Sequence, residues 1–382
     1  MNILRRGEKK VEYIELIYDL IFVYMIGKNN SILHHVEDGF IPAGSFFVYV
    51  LCTLAIIQIW TLTTFYVNVF GRNSARDFIF LFINMYLMYF IGESTRQDWE
   101  AFQTQYHVAW GLILVNIGIQ YLAELRNHQS DVWNREFIKR MSLSVFIMSG
   151  CVFVAAVPNQ TLGTVMSAVG IAVGFVLVSA SKRKTAGNAA DFMHLTERVM
   201  LYVVFTFGEM IIAVAAYFAG NGSLDADVIY FSVCTFLIVV GLFLSYGILY
   251  DRMIDRENGG SEVLYMIIHV FIIFCINNIT TALEFMREGE IEILPKIIFL
   301  VASVVGYHVF LFCTGRFAKK QFKPDRKFII KLLILTGIFV VLMLLFRENM
   351  HLNVLMTTIY VFAIYGILLF RKNKFLRDAE EE

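Results

Sequence analysis

The sequence predicts an all-α, polytopic integral membrane protein of about twelve transmembrane helices, and three observations carry this prediction. Of the 382 residues, 58% are hydrophobic and 17% are charged, a composition far from that of soluble domains. Apolar runs of roughly 20 residues, the length that crosses a bilayer, alternate with short polar breaks. The basic residues concentrate in every second break. We therefore expect one transmembrane domain over residues 1–382, with 1–190 and 191–382 as candidate halves of an internal repeat.

The apolar runs place the individual helices. The spans are approximately residues 13–32, 44–70, 77–93, 104–125, 138–156, 160–181, 194–219, 226–250, 262–285, 292–315, 328–346 and 352–371. The first run contains Glu15 and Asp19 and lacks a small-residue cleavage pattern. We therefore expect it to be kept as helix 1 and not removed as a signal peptide.

The charge distribution gives the helices a direction. Of the 32 basic residues, 26 fall in one alternate set of connections, four in the other set, and two inside spans. Because cytoplasmic loops are enriched in Lys and Arg, the rich set should be cytoplasmic. Both termini are then cytoplasmic and the protein lies in the cell membrane. The basic loops favour membrane lipids as partners, and the zero formal net charge gives no footprint for nucleic acid.

Several chemistries have no recognisable motif in the sequence. The five cysteines lie in different apolar runs without a CxxC pair, so neither a disulfide framework nor a thiolate metal site is indicated. A GxxxxGK[ST] loop, a His-Glu-x-x-His zinc motif and a nucleophilic triad are not apparent either. The sequence therefore predicts no cofactor, and an enzyme is less favoured than a transporter.

Helix 1 carries acidic residues where lipid would surround them. Glu12, Glu15 and Asp19 are spaced by three and four residues and so share one helix face. An ionisable side chain at membrane depth costs several kcal/mol unless it faces a partner, a cavity or water. One interpretation is a cation or proton site, since neighbouring carboxylates can hold a proton exchangeably. The alternative is an ion pair with Arg198 or solvation at the interface.

Helix 7 carries a second set of ionisable residues. His194, Arg198 and Glu209 fall within a roughly 60° arc at about 100° per residue. Glu197 and Arg198 lie near the cytoplasmic edge, where a structural ion pair would also explain them. Glu209 lies about 16 Å further along the helix at ~1.5 Å per residue, near the middle of the membrane. That depth favours a functional role for Glu209.

Amide and imidazole side chains extend the candidate site to other helices. Asn68 on helix 2, Asn84 on helix 3, and His269 and Asn277 on helix 9 suggest a polar interior, although amides more often hold helices together. The predicted substrate or ion site consists of Glu15, Asp19, Asn68, Asn84, His194, Glu197, Arg198, Glu209, His269 and Asn277.

Two motifs resemble those of a known family. The run Val11 to Val23, with a Glu-Leu-x-x-Asp-Leu-x-Phe-Val core from Glu15, resembles the opening signature of the bacterial low temperature requirement protein A family. The His-x-x-Glu-Arg run from His194 and the Gly208-Glu209 pair are similar to a later segment of that family, and 60–68 in helix 2 is a third, Trp-poorer match. The resemblance implies a multi-pass membrane protein linked by name to growth at low temperature. It implies no substrate.

Three functions remain open at the level of sequence. The leading hypothesis is a secondary transporter or ion-coupled permease for a small solute, cation or proton. The second is an intramembrane redox protein or enzyme, because His269 and His308 lie at similar depths and could share a haem or metal. The third is a non-catalytic membrane component for cold adaptation.

Overall fold

The computed structural model describes residues 11–94, 99–128, 132–180, 192–219, 225–256 and 261–381. Within these ranges the chain forms twelve α-helices and no β-strand. The helices are α1 Tyr13–Asn29, α2 Ala43–Phe70, α3 Ala75–Ser94, α4 Trp99–Glu124, α5 Val132–Ala155, α6 Gln160–Ala180, α7 Phe192–Ala219, α8 Ala226–Ile248, α9 Glu262–Phe285, α10 Ile293–Cys313, α11 Arg326–Leu345 and α12 Met350–Glu381. Each corresponds to one apolar run of the sequence.

The helices have the length and composition of membrane spans. Eleven of those described are long and apolar enough to cross a membrane. The exception is α1, whose 17 residues rise only about 26 Å at ~1.5 Å per residue. It continues directly into a 3-10 helix, Asn30–His34, and the two together exceed the roughly 30 Å of a hydrocarbon core. The prediction of an all-α, multi-pass membrane protein is confirmed.

The distribution of polar and apolar side chains suits lipid as the solvent. On α11, Leu333, Val341 and Leu345 are 66%, 63% and 69% exposed, and similar apolar side chains face outward on most other helices. Charged and amide side chains lie inside instead, among them Asp19, Asn84 and Arg198. A soluble protein would not expose so much apolar surface.

The described helices form two compact units, Met1–His35 with Ile41–Leu201, and Val36–Phe40 with Tyr202–Glu382. In the first unit, α1 packs on α2 and α3, α4 packs on α3 and α5, and α5 packs on α6. In the second, α8 packs on α12 and α9 on α10, while α11 contacts α10 and α12. The division falls inside α7. Whether the predicted halves 1–190 and 191–382 are a repeat stays a prediction.

Polar groups fix several helix ends. Asp225 precedes α8 and accepts a hydrogen bond from Val228 N at 2.8 Å, and Ser261 precedes α9 and accepts one from Leu264 N at 3.3 Å. Both satisfy backbone donors of a first helical turn that have no partner inside the helix.

A buried carboxylate connects helix ends in the first unit. Glu124, at the end of α4, has a side chain with 0% exposure that forms an ion pair with Arg76 at the start of α3. Arg72 Nη2 lies 3.5 Å from the same carboxylate, and Asn127 Nδ2 donates to it at 3.0 Å. These contacts hold the C-terminal end of α4 against the turn between α2 and α3.

Candidate functional site

Four ionisable side chains meet between α1 and α7 in the first unit. Glu15 and Asp19 come from α1, His194 and Arg198 come from α7, and their exposures are 1%, 0%, 0% and 1%. In each helix the two residues are four positions apart, so they lie one turn apart on one face. The two faces oppose each other at matching spacing. The result is a fully buried ionic cluster, which we call the Glu15–Arg198 cluster.

Asp19 is held by two strong donors. Arg198 donates from Nε to Oδ2 at 3.3 Å and from Nη2 to Oδ1. Trp60 of α2 donates from its indole Nε1 to Oδ1 at 2.8 Å, and its ring centre lies 5.9 Å from Arg198 Cζ. A two-nitrogen guanidinium contact and an indole donor both favour the ionised carboxylate. Asp19 and Arg198 therefore form a fixed ion pair braced by Trp60.

Glu15 lies next to two nitrogens of α7. Its Oε2 is 3.3 Å from Arg198 Nε and 3.3 Å from His194 Nε2. On the other side of the imidazole, Asn68 Nδ2 lies 3.1 Å from His194 Nδ1. With the amide as placed, Nδ1 accepts from Asn68, so the neutral ring carries its proton on Nε2, towards Glu15. This side of the cluster therefore places a carboxyl group next to an imidazole ring.

A hydrogen-bonded chain of neutral polar groups lies in the same unit and begins at the residue before Asp19. Tyr18, next to Asp19, has its hydroxyl 3.0 Å from Thr63 Oγ1 and accepts from Asn84 Nδ2 at 3.3 Å. Asn84 Oδ1 in turn accepts from Asn116 Nδ2 at 2.9 Å. Side chains of α1, α2, α3, α4 and α7 thus build a polar interior in the first unit.

Within the first unit, the structure brings most of the predicted residues there into contact. Glu15, Asp19, Asn68, His194 and Arg198 are in contact as described, and Asn84 donates to Tyr18, the residue before Asp19. Glu197 is half-buried and is absent from the ion pairs of Arg198 within the described residues. Arg198 therefore pairs with the carboxylates of α1. This ion pair is the one that the sequence offered as the alternative to a cation or proton site on helix 1.

The remaining predicted residues lie in the second unit. Glu209 is half-buried on α7. Asn277 Nδ2 donates to Ile273 O at 2.9 Å, and His269 Nδ1 donates to Tyr265 O at 2.8 Å. Both bonds are made one turn back along the same helix, which is how a polar side chain satisfies itself in a transmembrane helix.

The second unit also contains the histidine considered for a shared haem or metal. His308 Nδ1 donates to Val304 O at 2.8 Å, and its ring packs against Tyr360 and Phe312, with centroid distances of 5.2 and 6.4 Å. In the part of the chain that the structure describes, no group of three or more His, Cys, Asp or Glu side chains is placed to hold a metal ion.

Sequence reasoning missed three residues of the site: Trp60, Tyr18 and Thr63. On α2, Trp60, Thr64 and Asn68 are all buried, and their spacing of four residues puts them on one helix face. The indole N–H is the signal, because a Trp in the middle of a span must find an acceptor.

Comparison with known proteins identifies a family for this chain. The model of the family described as bacterial low temperature requirement A protein (LtrA) matches residues 10–364, nearly the whole chain. No curated protein and no solved structure matches the chain. The matched range contains the complete Glu15–Arg198 cluster.

Proposed function

We propose that this chain, which belongs to the bacterial low temperature requirement A family, is a secondary permease that moves a small solute or cation in exchange or symport with a proton. The proton site is the Glu15–Arg198 cluster. Both termini are cytoplasmic in this proposal and the protein lies in the cell membrane, as the segregation of basic residues favours.

The charge count of the cluster carries the proposal. Glu15 and Asp19 can supply two negative charges, whereas Arg198 supplies one fixed positive charge. A net charge away from water costs several kcal/mol, even among paired groups. The cluster therefore favours the uptake of one proton, which makes it neutral. Release of that proton returns a negative site able to bind a cation or a new proton.

The contacts indicate which residues hold this proton. Asp19 accepts from Arg198 and Trp60, and both donors favour its ionised form. Glu15 and His194 lie 3.3 Å apart, so a proton on either one neutralises the cluster. If the ring takes the proton at Nδ1, Asn68 must turn its amide oxygen towards that nitrogen, because a protonated imidazole has only donors. Protonation of His194 would then change the hydrogen bonding of Asn68, which belongs to α2.

Burial gives the site the properties of an occluded state. None of the four ionisable side chains exceeds 1% exposure, so exchange with water requires α1 and α7 to part. Arg198 Nη1 is buried without a hydrogen-bond acceptor among the described residues. This donor is available to a solute oxygen when the site opens. Alternating exposure of one buried site is how secondary transporters work.

The test is proton movement in reconstituted vesicles. Purified protein is placed in liposomes with an internal pH-sensitive dye and an imposed membrane potential, and small solutes and cations are added in turn. We expect solute-dependent proton movement that is lost in Glu15→Gln. The matched control is Glu136→Gln, which neutralises a carboxylate on the surface of the same unit, 51% exposed, and should transport normally.

Two results would reject the proposal. One is wild-type protein that moves neither protons nor any solute, which would favour a non-transporting role in the membrane. The other is Glu15→Gln protein with unchanged coupled transport. Tryptophan fluorescence and a monodisperse elution profile show whether each variant is folded.

A further inference from the structure

The second unit has an apolar groove between α7 and α8. Its volume is about 370 Å³, and its walls are formed by Ile211, Val214, Ala215, Phe218, Ser232, Val233, Phe236, Leu237 and Val239. Several of these side chains, including Ile211, Val233 and Phe236, are exposed at the surface of the unit. The groove therefore opens sideways, towards the space that lipid chains occupy around a membrane helix.

A guanidinium group stands at one end of this groove. Arg287, in the turn after α9, has Cζ 5.7 Å from the ring centre of Phe218, a wall residue, and 5.8 Å from that of Phe231, next to Ser232. Phe218 belongs to the last turn of α7 and Phe231 to the second turn of α8. The cation thus lies near the helix ends, at headgroup level, while the groove extends from there along the spans.

The ion pairing of Arg287 leaves part of its donor set unused. Nη2 is 3.4 Å from Asp227 Oδ2, and the two side chains are 17% and 44% exposed. Asp227 is shared with His351, whose Nε2 lies 2.6 Å from Oδ1. Arg287 Nη1 is buried and has no hydrogen-bond acceptor among the described residues. A guanidinium that lacks an acceptor on one nitrogen fits an additional oxyanion.

We propose that this groove is a specific binding site for a phospholipid with an anionic headgroup. One acyl chain lies between α7 and α8, and a phosphate oxygen accepts from Arg287 once the side chain turns its buried Nη1 towards the groove. An apolar channel at membrane depth with an arginine at headgroup level matches the two parts of such a lipid. The site is distinct from the proposed proton site and does not depend on it.

Native mass spectrometry of the full chain tests this proposal. Protein is released from nanodiscs containing equal amounts of phosphatidylglycerol and phosphatidylcholine, and the lipids that stay bound are counted. Both lipids carry a phosphate, but in phosphatidylcholine the choline cation offsets its charge. We therefore expect preferential retention of phosphatidylglycerol, by about tenfold if the net negative charge beside Arg287 contributes ~1.4 kcal/mol. Arg287→Gln should abolish the preference, and Arg347→Gln, which removes an exposed cation, should keep it.

The acyl-chain part of the site is tested separately. Ala215→Trp fills the groove from its α7 wall and should lower the retention of both lipids. Ala216→Trp is the matched control, because Ala216 is the next residue and is not part of the wall.

Equal retention of the two lipids by the wild type would overturn the proposal, as would an unchanged preference in Arg287→Gln. Loss of retention in Ala216→Trp equal to that in Ala215→Trp would overturn the placement of the chain. If Arg287→Gln is recovered poorly, Arg287→Lys keeps a cation but not the guanidinium fork. It should show a reduced phosphatidylglycerol preference, and a full preference would contradict the proposed contact.

Discussion

Replacing Arg198 by glutamine should strongly destabilise the first unit. The substitution removes the only fixed positive charge of the cluster and leaves Asp19 and Glu15 buried together. Breaking a buried ion pair by deleting one partner costs roughly 3–5 kcal/mol, because the remaining charge is uncompensated. A domain of 150–250 residues, the size range of this unit, loses about 2–4 °C in Tm per kcal/mol. We therefore expect Tm to fall by roughly 6–20 °C.

The assay is thermal unfolding in detergent, followed by intrinsic fluorescence, with a double variant as the critical comparison. Asp19→Asn combined with Arg198→Gln removes one negative and one positive charge, and the asparagine oxygen can still accept from Trp60. The double variant should recover most of the lost Tm, because removing one carboxylate with the guanidinium returns the net charge of the cluster to its wild-type value. Arg140→Gln is the surface control: its pair with Glu136 is 57% and 51% exposed and contributes no more than about 1 kcal/mol.

The reasoning is refuted if Arg198→Gln unfolds at the wild-type temperature. It is also refuted if the double variant is no more stable than Arg198→Gln alone, since the cost would then not come from uncompensated charge. A drop in Arg140→Gln as large as that in Arg198→Gln would point to a general loss of positive charge instead of a buried pair.

Two further predictions concern single contacts. Trp60→Phe keeps an aromatic ring and removes the N–H that donates to Asp19 at 2.8 Å. Because a hydrogen bond to a charged group is worth about 1.5–3 kcal/mol, Tm should fall by less than in Arg198→Gln. An unchanged Tm would show that the indole donor is dispensable. Outside the spans, the hydrogen bond from Arg371 Nη1 at 3.0 Å lowers the pKa of Asp325 below its ordinary value. A lowered carboxyl pKa in the folded protein means that this contact stabilises above the ordinary pKa and is lost as the pH falls through the lowered one. Titration of the Asp325 carboxyl carbon by NMR should show the lowered pKa, and Arg371→Gln should return it to the ordinary range; an unchanged titration would exclude Arg371 as the cause.

Helix positions and the acidic face of α1 were accessible from the sequence because both depend on local periodicity. Hydropathy places each span by its own residues, and a spacing of four residues puts Glu15 and Asp19 on one face without reference to the rest of the chain. The pairing of Asp19 with Arg198 is different. The two residues are separated by 179 positions, and no local pattern states which helix faces which. The sequence could offer that ion pair only as one of two interpretations.

The energetic cost of burying polar side chains identified candidate residues from the sequence, but it did not identify the residues that contact them. Glu209 and Arg198 share an arc of α7, yet Arg198 belongs to the ionic cluster of the first unit and Glu209 to the second unit. A shared helix face therefore does not by itself establish a shared site. Trp60 is the reverse case, a site residue that the burial argument did not select. An aromatic residue in a span is expected to contribute only apolar packing. Its role depends on one N–H group, which a hydropathy value does not represent.

The presence of an ion pair does not by itself decide between a structural and a functional cluster. A purely structural solution would match charges one to one, and Asp19 with Arg198 already does so. Glu15 is then an additional acid, fully buried and placed 3.3 Å from a histidine nitrogen. Keeping it charged is unfavourable in lipid, and a glutamine of the same shape would avoid that penalty. A second carboxylate beside Arg198, next to a titratable ring, is therefore the feature on which the proposal of proton exchange rests, and Glu15→Gln is the substitution that tests it.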